Sequence, residues 1–66
     1  MKVNFDQDTD ALYVRFSDSE ISETVEVRPG VMLDYDAKGR IVGLEILDAT
    51  KNLADANLKQ LALEVA

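Results

Sequence analysis

The stretch from Val31 to Leu47 constrains the fold of this chain most strongly. Two runs of alternating apolar and polar residues flank the segment 36–39, which begins with Asp36 and ends with Gly39. This pattern predicts two strands joined by a turn, that is, a β-hairpin. Aspartate favours the first position of a type I turn, and glycine tolerates the left-handed conformation that closes it.

The register of this hairpin is predicted from its apolar pairs, which stabilise a sheet when they lie opposite one another. The favoured register opposes Tyr35 to Arg40, and it then pairs Leu33 with Val42 and Val31 with Leu44. A slip by one residue would move the apolar set of one strand to the wrong side. The predicted core face therefore carries Val31, Leu33, Val42, Leu44 and Ile46. The opposite face carries Met32, Asp34, Ile41, Gly43 and Leu47.

Three more strands are predicted before this hairpin. Residues 2–6 and 11–16 alternate and form a first hairpin, which pairs Phe5 with Leu12 and Val3 with Val14. A third strand covers residues 22–27. Five short strands with short connections predict an antiparallel meander.

The corner at Arg28-Pro29-Gly30 allows two loops. A two-residue loop pairs Val27 with Met32 and Val25 with Asp34. A three-residue loop pairs Val27 with Val31 and Val25 with Leu33. We favour the three-residue loop because it matches apolar with apolar residues, and because Gly30 can supply the left-handed residue that such loops need.

The C-terminal segment changes to a helical period. Its apolar positions are Leu53, Leu58, Leu61, Ala62 and Val65, and its candidate N-caps are Asp48, Thr50 and Asn52. One helix from about residue 50 to 65 is predicted to cover the core face; a short turn and then a helix from near Asn57 is the alternative. The predicted fold is thus α+β, a single domain over residues 1–66 with the sheet in 1–47.

The composition narrows the class of function. The chain has 66 residues, no cysteine, no histidine and a net charge of −6. It therefore has no thiolate nucleophile and lacks the commonest general base and metal ligand. The seven basic residues are scattered, so binding to nucleic acid or to an anionic membrane is not expected. No apolar run approaches the ~20 residues of a membrane span, and no signal peptide is apparent, so we expect a cytoplasmic protein.

Two acidic groups are candidate sites. Asp6-x-Asp8-x-Asp10 resembles the start of an EF-hand loop, but Ala11 stands where that loop needs glycine and Ser17 where it needs glutamate. We interpret it as a capped turn. A second group, Asp34, Asp36 and Asp48 with Glu45, could serve a carboxylate-based metal binder or hydrolase. We interpret its members mainly as surface, turn and capping residues, and we expect no enzyme, cofactor or metal ligand.

The face opposite the core is the candidate interface. Tyr13, Met32, Ile41 and Leu47 could form an apolar patch around Gly43, and such patches tend to mark interaction sites. A domain this small without disulfides often gains stability by oligomerising. We therefore expect a non-enzymatic interaction module, either a homodimer or the binder of a basic protein partner.

Three motifs in order resemble a known family: residues 10–16 (DALYVRF), 26–31 (EVRPGV) and 34–49 (DYDAKGRIVGLEILDA). Over about residues 1–52 the chain is similar to the small prokaryotic family called domain of unknown function 2283. The resemblance implies a compact sheet with a C-terminal helix, and it brings no established catalytic residues. It also adds an antitoxin-like role to the functions worth testing.

Overall fold

The computed structural model describes residues 1–54 and shows an α+β arrangement with one five-stranded antiparallel sheet. The elements are β1 (Lys2–Asp6), β2 (Ala11–Arg15), β3 (Glu23–Arg28), β4 (Val31–Tyr35), β5 (Ile41–Ile46) and α1 (Ala49–Asn52). The predicted α+β class with a small antiparallel sheet is confirmed, and the covering of that sheet by a C-terminal helix stays a prediction. Among residues 1–54, no helix is long and apolar enough to span a bilayer.

The strand order is β1-β2-β5-β4-β3. Strands β3, β4 and β5 form a meander and β1 and β2 form a hairpin, as predicted. The meander departs from strict succession at one point, because β2 pairs with β5 rather than with β3. The connection over residues 16–22 therefore carries the chain to the opposite edge of the sheet. Strands β1 and β3 are the two outer strands.

The first hairpin has the predicted register. Val3 lies opposite Val14, and Phe5 lies opposite Leu12. Leu12 and Val14 belong to the buried core with Ile46 and Ala49, and partly buried apolar residues pack around them: Val3, Phe5, Val31, Leu44 and Leu53. We call this side of the sheet the core face and the opposite side the second face.

The predicted register of the central hairpin is wrong by two residues. Leu33 lies opposite Leu44, and Val31 lies opposite Ile46. Two local features cause this. The turn is tighter than predicted, because the Asp36 amide donates to the Arg40 carbonyl (2.9 Å). A β-bulge then adds one residue, Val42, between the pairs Tyr35–Ile41 and Asp34–Gly43. Since the two shifts sum to an even number, the core residues from Leu44 onward keep their predicted face.

The corner between β3 and β4 has the two-residue loop, so the favoured three-residue loop is wrong. Arg28 lies opposite Val31, so the loop is Pro29-Gly30, with Gly30 at a φ of 80°. A bulge between Glu26 and Arg28 restores the predicted pairing of Val25 with Leu33. The predicted pair of Val27 with Val31 is wrong, since Val27 is the bulged residue and is 49% exposed.

The predicted helix from about residue 50 is interrupted early. Helix α1 ends at Asn52, and Leu53 is extended, with φ −102° and ψ 137°. Leu53 packs against the core cluster. The rest of the predicted helix, residues 55–65, lies outside the described residues, as does the alternative start near Asn57.

The N-terminus of α1 is capped from a distant part of the chain. Asp48 occupies the N-cap position, as one of the predicted candidates, but its side chain makes no capping hydrogen bond. Instead the Asp10 carboxylate accepts a bond from the Thr50 amide (3.2 Å) and one from the Thr50 hydroxyl (2.7 Å). The Asp10 carbonyl also accepts the Ala49 amide (2.9 Å). Asp10 thus ties the β1–β2 turn to α1.

This distant cap predicts an effect of Asp10 on stability. We expect Asp10→Ala to lower the free energy of unfolding by about 1–2 kcal/mol, because the substitution removes a cap. Asp10→Asn should cost less, since asparagine keeps an acceptor oxygen and tolerates the left-handed backbone found here (φ 55°). Urea denaturation measures both, with exposed Asp8→Ala in the same turn as control. Equal effects at positions 8 and 10 would contradict the cap.

Candidate functional site

A hydrogen-bonded cluster on the second face links residues from three strands. The Asp34 carboxylate on β4 accepts the Tyr13 hydroxyl from β2 (Oη to Oδ2, 3.1 Å) and the Thr24 hydroxyl from β3 (Oγ1 to Oδ1, 2.6 Å). Asp34 is only 8% exposed. A buried carboxylate is tolerated when hydrogen bonds replace its water, and these two hydroxyl groups supply them.

Gly43 makes room for this cluster. It lies on β5, opposite Asp34 of β4 and Arg15 of β2, two positions along from the pair of Tyr13 with Glu45. A Cβ atom at this position would stand 2.9 Å from Asp34 Oδ2, 3.0 Å from Tyr13 Oη and 3.2 Å from the Val14 carbonyl oxygen. The sequence predicts such a close approach, because a glycine in mid-strand often marks one. The cluster can cross β5 only because β5 has no side chain there.

The predicted interface residues do not all lie together. Tyr13 and Met32 both flank Glu45, a charged residue, in the strand register. Gly43 is buried beneath the Asp34 cluster. The bulge places Ile41 opposite Tyr35, so Ile41 does not continue the row of Gly43 and Glu45 along the second face. Leu47 follows β5, where its amide donates to the Gly30 carbonyl (2.8 Å).

The five residues also differ in the exposed fraction of their side chains. Ile41 is 49% exposed and Leu47 is 38% exposed, whereas Tyr13 and Met32 are half-buried. The five residues therefore differ in how accessible they are to a partner. A role of these residues in association stays a prediction.

The three carboxylates of the predicted metal or hydrolase site have separate positions. Asp34 lies in the cluster above, Asp36 opens the hairpin turn, and Asp48 precedes α1 in a left-handed conformation (φ 49°). Within residues 1–54, no group of three or more acidic, histidine or cysteine side chains is arranged to hold a metal ion. Of the EF-hand-like aspartates, Asp6 caps its own turn through Oδ1 and the Asp8 amide (2.9 Å).

Asp36 closes the turn that the sequence predicts. Its Oδ1 accepts the amides of Lys38 and Arg40, each at 2.9 Å, and its Oδ2 accepts the Arg40 Nε (3.1 Å). The Arg40 amide is the largest influence holding the pKa of the Asp36 carboxyl below its ordinary value. Partial desolvation opposes it, while the Lys38 amide and the Arg40 guanidinium add to the lowering. Gly39 has the expected positive φ of 77°.

Sequence reasoning missed several side-chain contacts, some of them local and others between distant segments. Arg15 donates from Nε to the Ser17 carbonyl and from Nη2 to the Ser19 carbonyl, each at 2.9 Å, and so holds the start of the β2–β3 connection. The Asp10–Thr50 and Tyr13–Asp34 bonds were missed as well. Arginine, aspartate and tyrosine are ordinary in strands and turns, and their partners lie up to 40 residues away.

The sheet, its outer strands and the Asp34 cluster define a small α+β protein with a polar cluster across one face. A family model described as "Protein of unknown function (DUF2283)" matches residues 2–49. The chain belongs to this family, as the three sequence motifs predict. No curated protein and no solved structure matches the chain.

Gly43→Ala tests the space around the Asp34 cluster. In an ordinary strand this change is favourable by roughly 0.5–1 kcal/mol. Here we expect it to lower the free energy of unfolding by about 1–3 kcal/mol, because the new methyl group collides with the cluster. The loss should be smaller in a Tyr13→Phe background, which lacks the hydroxyl at 3.0 Å. Urea denaturation of the natural protein, the two single variants and the double variant completes this double-mutant cycle. A stabilising effect of Gly43→Ala would contradict the geometry.

The lowered pKa of Asp36 predicts a dependence of stability on pH. A carboxyl whose pKa is lower in the folded state stabilises the fold above its unfolded pKa of about 3.9, and this contribution is lost as pH falls through the folded pKa. Asp36→Asn should therefore be less stable than the natural protein at pH 7, and the difference should shrink below about pH 4. Thermal denaturation from pH 7 to 3 measures it, with exposed Asp18→Asn as control. A difference that is constant with pH would contradict the assignment.

Proposed function

We propose that this chain is a non-enzymatic protein-interaction module that self-associates or binds a protein partner. The observation that carries the proposal is the surface of residues 1–54. Strands β1 and β3 each have an outer edge that pairs with no other strand of this part of the chain. Large apolar side chains are exposed as well: Met1, Phe16, Val27, Ile41 and Leu47. Open edges and exposed apolar groups both favour association.

The use of the carboxylates supports this proposal over the metal-binding or hydrolytic alternative. Asp34 holds two hydroxyl groups of its own sheet, and Asp36 holds two amides and a guanidinium of its own turn. A ligand would have to displace these bonds. Association needs no such displacement, because strand edges and exposed apolar side chains are available within residues 1–54.

The charge of the chain points to the kind of partner. Thirteen acidic residues against seven basic ones give a net charge of −6, which attracts a basic protein and repels nucleic acid. An antitoxin-like module in the cytoplasm that covers a small basic protein is one form that such a function would take.

Light scattering across a range of concentrations, together with affinity capture of the tagged full chain from its native cells, tests the proposal. We expect a mass above the 7.3 kDa of one chain, or a single stoichiometric partner with a basic sequence. A monomer at every concentration with no stoichiometric partner would overturn the module. A thermal shift with millimolar magnesium, manganese or calcium that is lost in Asp34→Asn or Asp36→Asn would favour the alternative instead.

A further inference from the structure

We propose that the outer edge of β1 pairs with β1 of a second copy about a two-fold axis at Asn4, forming one continuous antiparallel sheet. This inference rests on the proposed function and names its partner and its surface. Of the two outer strands, β1 has a regular register with β2, without a bulge. Strand β3 is bulged at Val27 and is followed by Pro29, and both features protect an edge from pairing.

The sequence of β1 is complementary to itself when it runs antiparallel. A two-fold axis through Asn4 places Lys2 opposite Asp6 of the second copy, so that opposite charges meet at both ends. It also places Val3 opposite Phe5, a β-branched and aromatic pair of the kind that stabilises neighbouring strands. The side chains of two directly opposed residues project from the same face of a sheet. The core faces of the two copies therefore lie on the same side of the continuous sheet.

The backbone of β1 offers the hydrogen-bonding groups that this register needs. The Phe16 amide donates to the Val42 carbonyl (2.8 Å). Along β2, the backbone N–H and C=O groups of even-numbered residues therefore point toward β5, and those of odd-numbered residues point toward β1. Asn4 pairs with Tyr13, one of those odd-numbered residues. Because backbone groups alternate along a strand, Val3 and Phe5 direct their N–H and C=O groups to the outer edge. In the proposed register these two residues form the hydrogen-bonded pair between copies.

The side chains of β1 also suit this arrangement. Lys2, Asn4 and Asp6 are exposed, and Val3 and Phe5 are half-buried beside the core. The turn uses Oδ1 of Asp6 for the Asp8 amide, and Oδ2 can accept the Lys2 ammonium of the second copy. Charges occur only at the two ends of β1. Its centre therefore lacks the inward charge by which edge strands commonly prevent association.

A cysteine at the axis gives the sharpest test, because the natural chain contains no cysteine. The two copies of residue 4 would form a non-hydrogen-bonded pair with Cα atoms about 4.5 Å apart, which is within the range for a disulfide. We expect Asn4→Cys to form a disulfide-linked dimer under mild oxidation at low protein concentration. Glu26→Cys on the other outer strand is the matched control and should stay monomeric on a non-reducing gel. Equal cross-linking at both positions would overturn the proposal.

Charge reversal tests the same register in solution. Lys2→Glu opposes two acidic residues at both ends of the strand pair, and we expect it to raise the dimer dissociation constant roughly tenfold. Arg28→Glu on β3 changes the net charge equally and should leave that constant unchanged. Sedimentation equilibrium measures both, and circular dichroism checks that the variants remain folded.

The outcomes separate this inference from the function on which it rests. A natural protein that is dimeric, but whose dimer is insensitive to Lys2→Glu, overturns the β1 interface and leaves the interaction module standing. Loss of the dimer in Arg28→Glu alone would likewise overturn it in favour of the β3 edge. A natural protein that is monomeric at all concentrations overturns the β1 interface even if a different protein partner is found.

Discussion

The buried carboxylate of Asp34 is the contact on which the arrangement of the sheet depends. Its two hydroxyl donors come from β2 and β3, and the bond to Tyr13 passes over β5 at Gly43. An unpartnered buried carboxylate is costly, so the strands must align in a way that delivers both donors. A shift of any of these strands by one residue would turn Tyr13, Thr24 or Asp34 to the core face. The cluster therefore specifies the register of the second face, as the apolar residues do on the core face.

The same cluster changes what the second face can do. Apolar alternation alone suggests a patch around Gly43, yet the space above Gly43 is filled by Tyr13 and Asp34, and Glu45 separates Tyr13 from Met32. This directs attention from the face of the sheet to its edges, where backbone groups of β1 and β3 have no strand partner within residues 1–54.

The sequence predicts this fold well where neighbouring residues decide it. The first hairpin and the Asp36–Gly39 turn follow from alternation and turn chemistry. The two bulges do not, because the bulged residues, Val27 and Val42, are ordinary strand residues and each inserts one position without a local signal. The cap of α1 by Asp10 joins residues 40 apart, which a local reading cannot anticipate. For the site, the role of Gly43 was predictable in kind, but its neighbours Tyr13 and Asp34 were not.

The size of the core connects the fold to association. Within residues 1–54 the buried apolar side chains are few: Leu12, Val14, Val42, Ile46 and Ala49. A small domain without disulfides has little apolar burial with which to offset the conformational entropy lost on folding. Extending the sheet through β1 would add backbone hydrogen bonds and further cover Val3 and Phe5, which are half-buried at the margin of this core. Association through that edge would therefore stabilise the outermost strand, which has a neighbour on only one side, and it would do so without disturbing the Asp34 cluster.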